Sequence, residues 1–445
     1  VKDFAHFLLI LFETFFQFSA LPRWQHDSAK VKYSPPDFST TTQEVRGIRI
    51  MKICSSGYKL LCICLLAVLL STSRAFADGA VVDCSGATPG AFTTITAALA
   101  SLPDAGPNSI SVTGTCHENV VMFGRTDLTI FGNPTATVVP GNANGHLLSI
   151  NASQRVGIQN LTFDGGRGAI VNDNSRVDLT SITIQNSLGI GLTSIDSLVH
   201  IADSTVKNST RSGISIGGGT FYVDSDVTGT TVTNNGRIGI AVATGHLILN
   251  GGDGVTPGTE NVISNNGSVG VSVANSAEAD ISGDNRIIGN QGVFGLEVIH
   301  TSTVIMSDGT ISSNAGIGVH CGETSHCEWA GVTKIDSNGK GGIEITDHSD
   351  GYLDGGIDVS GNTGAGILID LSSLLNSLGG NTINNNTDDG IVLNTMSVLK
   401  FAANDTITGN GKLALECNNN SMVSGDVSTY KPKKCGAAFQ ASPIN

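Results

Sequence analysis

The sequence predicts an all-β solenoid, a parallel β-helix, and a few observations carry that expectation. From residue 160 onward one pattern recurs: an apolar residue, two or three polar residues including Asn, a Gly, then an apolar-x-apolar stretch. Examples are ISSNAGIGVHC, IDSNGKGGIEI, VSGNTGAGILI and INNNTDDGIVL. The small residue that opens each final stretch falls at Gly191, Gly213, Gly239, Gly270, Gly295, Gly318, Gly342, Gly366, Gly390 and Ala414, at intervals of 22, 26, 31, 25, 23, 24, 24, 24 and 24 residues. A unit of about 24 residues with three short alternating apolar stretches has the wrong period and length for helical repeats and suits one coil of three strands and three turns. About eleven coils are expected. None could offset its own ordering entropy alone, so stacking is obligatory.

Taken from the N-terminus, Met51 to Ala77 has the layout of a secretory signal: Lys52 and Lys59, an apolar run from Leu60 to Leu70, then Ala-Phe-Ala before Asp78. The run is too short to cross a hydrocarbon core of about 30 Å. Cleavage is expected after Ala77, which leaves no membrane span in the mature chain. Residues 1–50, whose leading apolar run is broken by Glu13, read as a gene-model extension or an unstructured leader. Residues 78–445 are the expected folded domain, a monomer placed in the periplasm or outside the cell.

Composition agrees with export and excludes some partners. The chain holds 24 Lys and Arg against 38 Asp and Glu, a net charge of -14, and 5% aromatics. A basic phosphate-binding face or a base-stacking platform cannot be built from this, so nucleic acid is not an expected partner. Of nine cysteines, three lie in the signal; the other six fall in local pairs, Cys84 with Cys116, Cys321 with Cys327 and Cys417 with Cys435. No CxxC is present, and disulfides are favoured over a metal site.

Within the repeats, Asn stands four residues before most anchors, at Asn235, Asn266, Asn314, Asn338, Asn362, Asn386 and Asn410. Gln291 takes the place once, and Ser187 and Ser209 take it with Asn one residue earlier. This is the pattern of an asparagine ladder, in which amides stacked from coil to coil bond one another and Asn tolerates left-handed backbone. The insertion GGDGVTPGTE, residues 251–260, should project as a loop. Its single GGDG excludes a calcium-binding nonapeptide array. At the front, Phe92 to Leu102 has helical spacing and can cap the first coil; at the back the Cys417–Cys435 segment, with KPKK, can cap the last.

From Asp83 the chain resembles right-handed parallel β-helix proteins of the pectin-lyase-like superfamily, through DCSGATPGAFTTITAALASL, ISVTGTCHENVVM, DLTIFG and the ladder. The resemblance implies a right-handed coil and a protein that binds or cleaves polysaccharide. The enzyme signatures of that superfamily are not intact. Asn386-Thr387-Asp388-Asp389 matches the first polygalacturonase block in letters but lies in a ladder turn, and no GHG or RIK follows. Glu118 in GTCHENV resembles pectin methylesterases, whose other blocks are missing, and no acidic calcium cluster with an exposed Arg marks a pectate lyase.

Position counting supplies one constellation. Two residues past three successive anchors, facing outward, stand Glu297, His320 and Glu344; five past stand His300, Glu323 and Asp347, with His348 beside the last. Such a patch is a candidate for proton transfer, with Glu297, His320 and Glu344 catalytic, or for calcium or another divalent cation on the same three residues. The outer four are candidates for binding. The bland alternative is a solvated sheet face. Three functions remain open: binding of extracellular glycan, a lyase, epimerase or hydrolase, and a structural or adhesive surface protein. Few aromatics are available for sugar stacking, namely Phe221, Tyr222, Phe294, Trp329 and Tyr352.

Overall fold

A computed structural model describes residues 78–435 except 402, 403 and 426. The signal and leader readings for residues 1–77 lie outside these residues. The chain winds as a right-handed parallel β-helix of about thirteen turns, with strands pairing one coil to the next throughout. The expected eleven turns undercount because the front coils carry neither the anchor spacing nor the ladder. Strands there run longer, as in Ala105–His117 and Thr126–Val139, and their pairing contains register shifts between Ala105 and Asn108 and between Val112 and Gly114.

The coils stack into three ladders, with one strand sometimes running through two of them, as Thr303–Ser312 does. In the coil opened by Gly390 the strands are Ile391–Leu393 in the first ladder, Val398–Phe401 in the second and Thr406–Thr408 in the third. Ile391, Leu393, Leu399 and Ile407 point inward and are buried, while Val392 points out. Coil after coil repeats this, so one continuous aliphatic core runs along the axis. The alternation follows from the strand period of two, and the parallel register keeps like residues on like positions.

The asparagine ladder is present, with one correction. Asn235, Asn266, Asn290, Asn314, Asn338, Asn362, Asn386 and Asn410 form it, each Nδ2 donating at 3.0 Å to the Oδ1 of the next. Asn290 stands where Gln291 was expected; Gln291 is exposed, because the turn before Gly295 is one residue longer. The left-handed residue is also not the ladder Asn but its predecessor, as at Asn234 (φ 56°), Asn265 (φ 53°) and Ser337 (φ 56°). Ser187 and Ser209 do hold the buried place in their coils.

Both caps are present. The helix Ile95–Ser101 turns Ile95, Ala98 and Leu99 onto the first coil. Glu118 holds its N-terminus, accepting from the Ile95 N–H (2.6 Å), the Thr96 N–H (2.9 Å) and the Thr96 hydroxyl (2.6 Å). Arg125 holds its C-terminus by donating to the carbonyls of Leu99, Leu102 and Pro103. A carboxylate at the positive end of the helix and a guanidinium at the negative end are the favourable arrangement. Glu118 is therefore a cap, not a remnant of an esterase site. At the other end Lys433–Lys434 pairs with Leu415–Cys417. All three expected disulfides form: Cys84–Cys116, Cys321–Cys327 and Cys417–Cys435. Among the described residues no helix is long and apolar enough to cross a membrane.

Candidate functional site

The outward stack on the first ladder forms in the expected register, Glu297 beside His320 and His320 beside Glu344. It resolves into two pairs. Glu297 Oε2 accepts from the Ser272 hydroxyl of the preceding coil at 2.6 Å, whereas His320 Nδ1 lies 2.7 Å from Glu344 Oε2. An ionised carboxylate only accepts, so Nδ1 carries a proton, and in the neutral ring Nε2 holds the lone pair. The ring is stacked on Phe294 at 4.4 Å between centroids, and a Cβ on Gly322 would stand 2.6 Å from Nε2. With side-chain exposures of 14% and 22%, His320 and Glu344 are held but reachable.

Five residues past the anchors the chain turns from the first ladder to the second. His300–Thr301, Glu323–Thr324 and Asp347–His348 are each two consecutive left-handed residues, which turn the chain from one ladder into the next and leave their side chains largely exposed. His300 Nε2 lies 2.5 Å from Glu323 Oε2. The next residue in each turn is a buried serine, and Ser325 and Ser349 accept from the N–H of the serine one coil before, at 3.2 and 3.1 Å. This serine ladder escaped the sequence reading.

So did the second ladder, where the patch continues. Outward-facing His246 pairs with Asp280 (3.0 Å), and His326 pairs with Asp350 (2.7 Å) under the ring of Tyr352 at 5.4 Å. The signal was available: eight residues past Gly270, Gly318 and Gly342 stand Glu278, His326 and Asp350. Farther toward the N-terminus His200 lies between two carboxylates of adjacent coils, Nδ1 3.5 Å from Asp178 and Nε2 2.7 Å from Asp224. The Asp224 approach lacks hydrogen-bond alignment and acts as an ion contact. Hydrogen bonding to Asp178 and then the Asp224 carboxylate push the His200 imidazole up to about 10, against the opposing effect of burial.

That shift has a definite sign. The raised folded value means His200 contributes stability that is fully present below the ordinary imidazole range and is lost as pH rises through about 10. The His200 ring protons, followed by NMR, should therefore show no titration between pH 5 and 8; a midpoint near the ordinary value of about 6.5 would refute the clamp.

The insertion loop borders a different feature. A cleft of 820 Å³ opens on the third-ladder side, lined among others by Asp253, Asp284, Arg286, Asp308, Lys334 and Asp336. Its bases are already paired, Arg286 with Asp284 and Glu260 at 3.1 Å and Lys334 with Asp336 at 3.2 Å. The loop projects as expected, with Val255 exposed, and Gly252 bridges back to Asp284. This cleft is separate from the histidine patch, which lies on the other two ladders.

Two of the aromatics expected to meet sugar rings do not face solvent: Phe221 and Trp329 are fully buried, because their strands place them on the inward phase. Tyr222, Phe294 and Tyr352 are half-buried, and Phe123, outside that set, is exposed. Beyond the patch the same outward columns turn apolar, through Leu374, Val398 and Met422 on the second ladder. The Asn386–Asp389 segment is a turn. Asn386 sits in the ladder, Asp388 pairs with Lys412 at 2.5 Å, and Asp389 accepts from the Leu413 N–H at 2.9 Å. Burial pushes the Asp389 carboxyl up, while Lys412 holds Asp388 down.

No family model and no curated protein matches the chain. Among solved structures it is similar to the A-module of mannuronan C-5 epimerase AlgE6 from Azotobacter vinelandii, at 13% identity over 75% of this chain and 93% of that one, with a TM-score of 0.41. The periplasmic alginate epimerase AlgG follows at 12% identity, 72% and 77% coverage and a TM-score of 0.38. The GH136 lacto-N-biosidase from Eubacterium ramulus has 8% identity, 78% and 67% coverage and a TM-score of 0.29. Likeness at this level identifies no activity for this chain.

Proposed function

We propose that this is an exported β-helix protein that binds an extended polysaccharide along the first and second ladders. The observation that carries the reading is a patch of imidazole–carboxylate pairs, each joining adjacent coils: His320–Glu344 on the first ladder, His300–Glu323 at the corner, and His246–Asp280 and His326–Asp350 on the second ladder. Parallel pairing sets adjacent coils about 4.8 Å apart, a spacing that lets a linear, hydroxyl-rich polymer meet acceptors and donors on one coil after another. The patch is rich in carboxylates, so it favours a neutral glycan; a polyanion would need bridging cations. Glu297, Asp347 and His348 belong to its rim. Three disulfides and the signal layout support export to the periplasm or medium.

The His320 arrangement favours a second reading, proton-transfer catalysis on that glycan. Glu344 orients the ring from Nδ1 and Phe294 fixes its plane, leaving Nε2 to take or give a proton. The test is a panel of neutral, amino and uronic polysaccharides, with and without calcium, scored for binding, unsaturated products and reducing ends. Binding of a neutral member that weakens about tenfold or more in both His320→Ala and Glu344→Ala supports the reading. Product formation lost in the same variants makes the protein an enzyme. Binding or activity that survives both substitutions removes the patch from function, and silence across the panel from folded protein favours a structural or adhesive role.

A further inference from the structure

We propose that His246, Glu278 and Asp280 form a binding site for a divalent transition metal of the zinc type. His246 and Glu278 are direct neighbours on adjacent strands of the second ladder, and Asp280 follows Glu278 by two residues on the same outward face. Their inward neighbours Leu247, Ala279 and Ile281 are buried in the core, so the three Cα positions are fixed by sheet pairing and packing. The ligand atoms, one imidazole nitrogen and two carboxylate oxygens, all lie within 4.8 Å of one another, and His246 Nε2 is 3.0 Å from Asp280 Oδ2. Ligands about 2.0–2.2 Å from a tetrahedral zinc stand about 3.3–3.6 Å apart, which small side-chain rotations reach from here.

Charge supports the same assignment. Among the described residues neither Glu278 nor Asp280 is paired with a lysine or arginine, whereas Asp284, Asp336, Asp388 and Glu416 each are. The outward neighbours in the flanking coils, Thr220, Tyr222, Thr303 and Ile305, supply no cation. Two carboxylates held together with only an imidazole between them are stabilised by a dication. The imidazole selects a borderline metal over calcium, which takes six to eight oxygens. Three protein ligands leave a coordination position for water or a glycan hydroxyl. The other trio of cysteine and acid side chains in ligand distance, Cys84, Cys116 and Glu118, is no competitor, since its cysteines form a disulfide and its carboxylate caps the helix. The proposal stands independently of the glycan reading.

Metal-free full chain titrated with Zn²⁺ alone at pH 7 by calorimetry is expected to bind one equivalent. Affinity should fall at least about tenfold in His246→Ala and in Asp280→Asn, and stay unchanged in His320→Ala. Circular dichroism of each variant separates loss of ligand from loss of fold. Co²⁺ added to the unsubstituted protein should broaden the His246 ring protons before those of any other histidine, a reading that needs no variant. The proposal is overturned if the folded protein binds no Zn²⁺, if binding survives both second-ladder substitutions, if His320→Ala abolishes it, if calcium binds as tightly, or if Co²⁺ broadens another histidine first.

Discussion

Asn338→Ala is expected to lower the free energy of unfolding by about 4 kcal/mol, among the largest effects available from one side chain in this chain. The fully buried Asn338 amide uses all its capacity. Oδ1 accepts from the Asn314 N–H (3.1 Å) and Asn314 Nδ2 (3.0 Å), and Nδ2 donates to Asn362 Oδ1 (3.0 Å) and the Ile311 carbonyl (3.2 Å). Truncation of this fully buried amide strands two donors and removes a donor from two acceptors, at about 1–3 kcal/mol for each group left unsatisfied. Asn410→Ala should cost less, about 2 kcal/mol. Asn410 ends the ladder and donates only to the Ile383 carbonyl; its Oδ1 accepts from the Asn386 N–H and Nδ2, but it is partly exposed, so solvent can take over those two bonds. Urea unfolding of both variants checks the contrast; equal midpoints would show that the ladder is not the source of turn stability.

Gly318→Ala is the second large effect, expected at about 3 kcal/mol or more. An added Cβ would stand 2.6 Å from Asn338 Nδ2 and 2.8 Å from both the Gly342 carbonyl oxygen and Ile335 Cγ2. Two of those three are held by ladder and sheet bonds and cannot yield, so the strain falls on the coil spacing itself. The same reasoning explains why the last anchor is Ala414. An anchor meets the ladder amide of the following coil, and beyond Asn410 there is none; the Ala414 N–H goes to the Pro432 carbonyl instead. Ala414→Gly should accordingly shift the thermal midpoint little, while Gly318→Ala shifts it by many degrees. A Gly318→Ala midpoint equal to that of the parent protein would contradict the close approach.

The interval of 24 residues, the anchors, the amide ladder and the stack of Glu297, His320 and Glu344 were all legible from residue order. In a parallel helix with constant coil length, residues one period apart are spatial neighbours, so counting along the chain is counting up a column. Gln291 and the front coils show where counting fails. A single extra residue in a turn moves the neighbour by one place, and coils with bulged strands lose the period altogether.

What residue order alone determined, then, is the coil, its register and one outward column, because sheet pairing fixes those by spacing. Tertiary structure decided the rest at the corners, where the inward–outward alternation restarts. The paired left-handed residues Glu323–Thr324 and Asp347–His348, at the turns into the second ladder, set the phase that buries Trp329 and faces His326 and Asp350 outward. A turn with the single left-handed residue Thr244 before His246, and one with Asn275 and Ser276 before Glu278, bring His246, Glu278 and Asp280 together. Which outward residues share a patch depends on that phase and on the angle between ladders, both set by how the turns pack and not by spacing within any one strand.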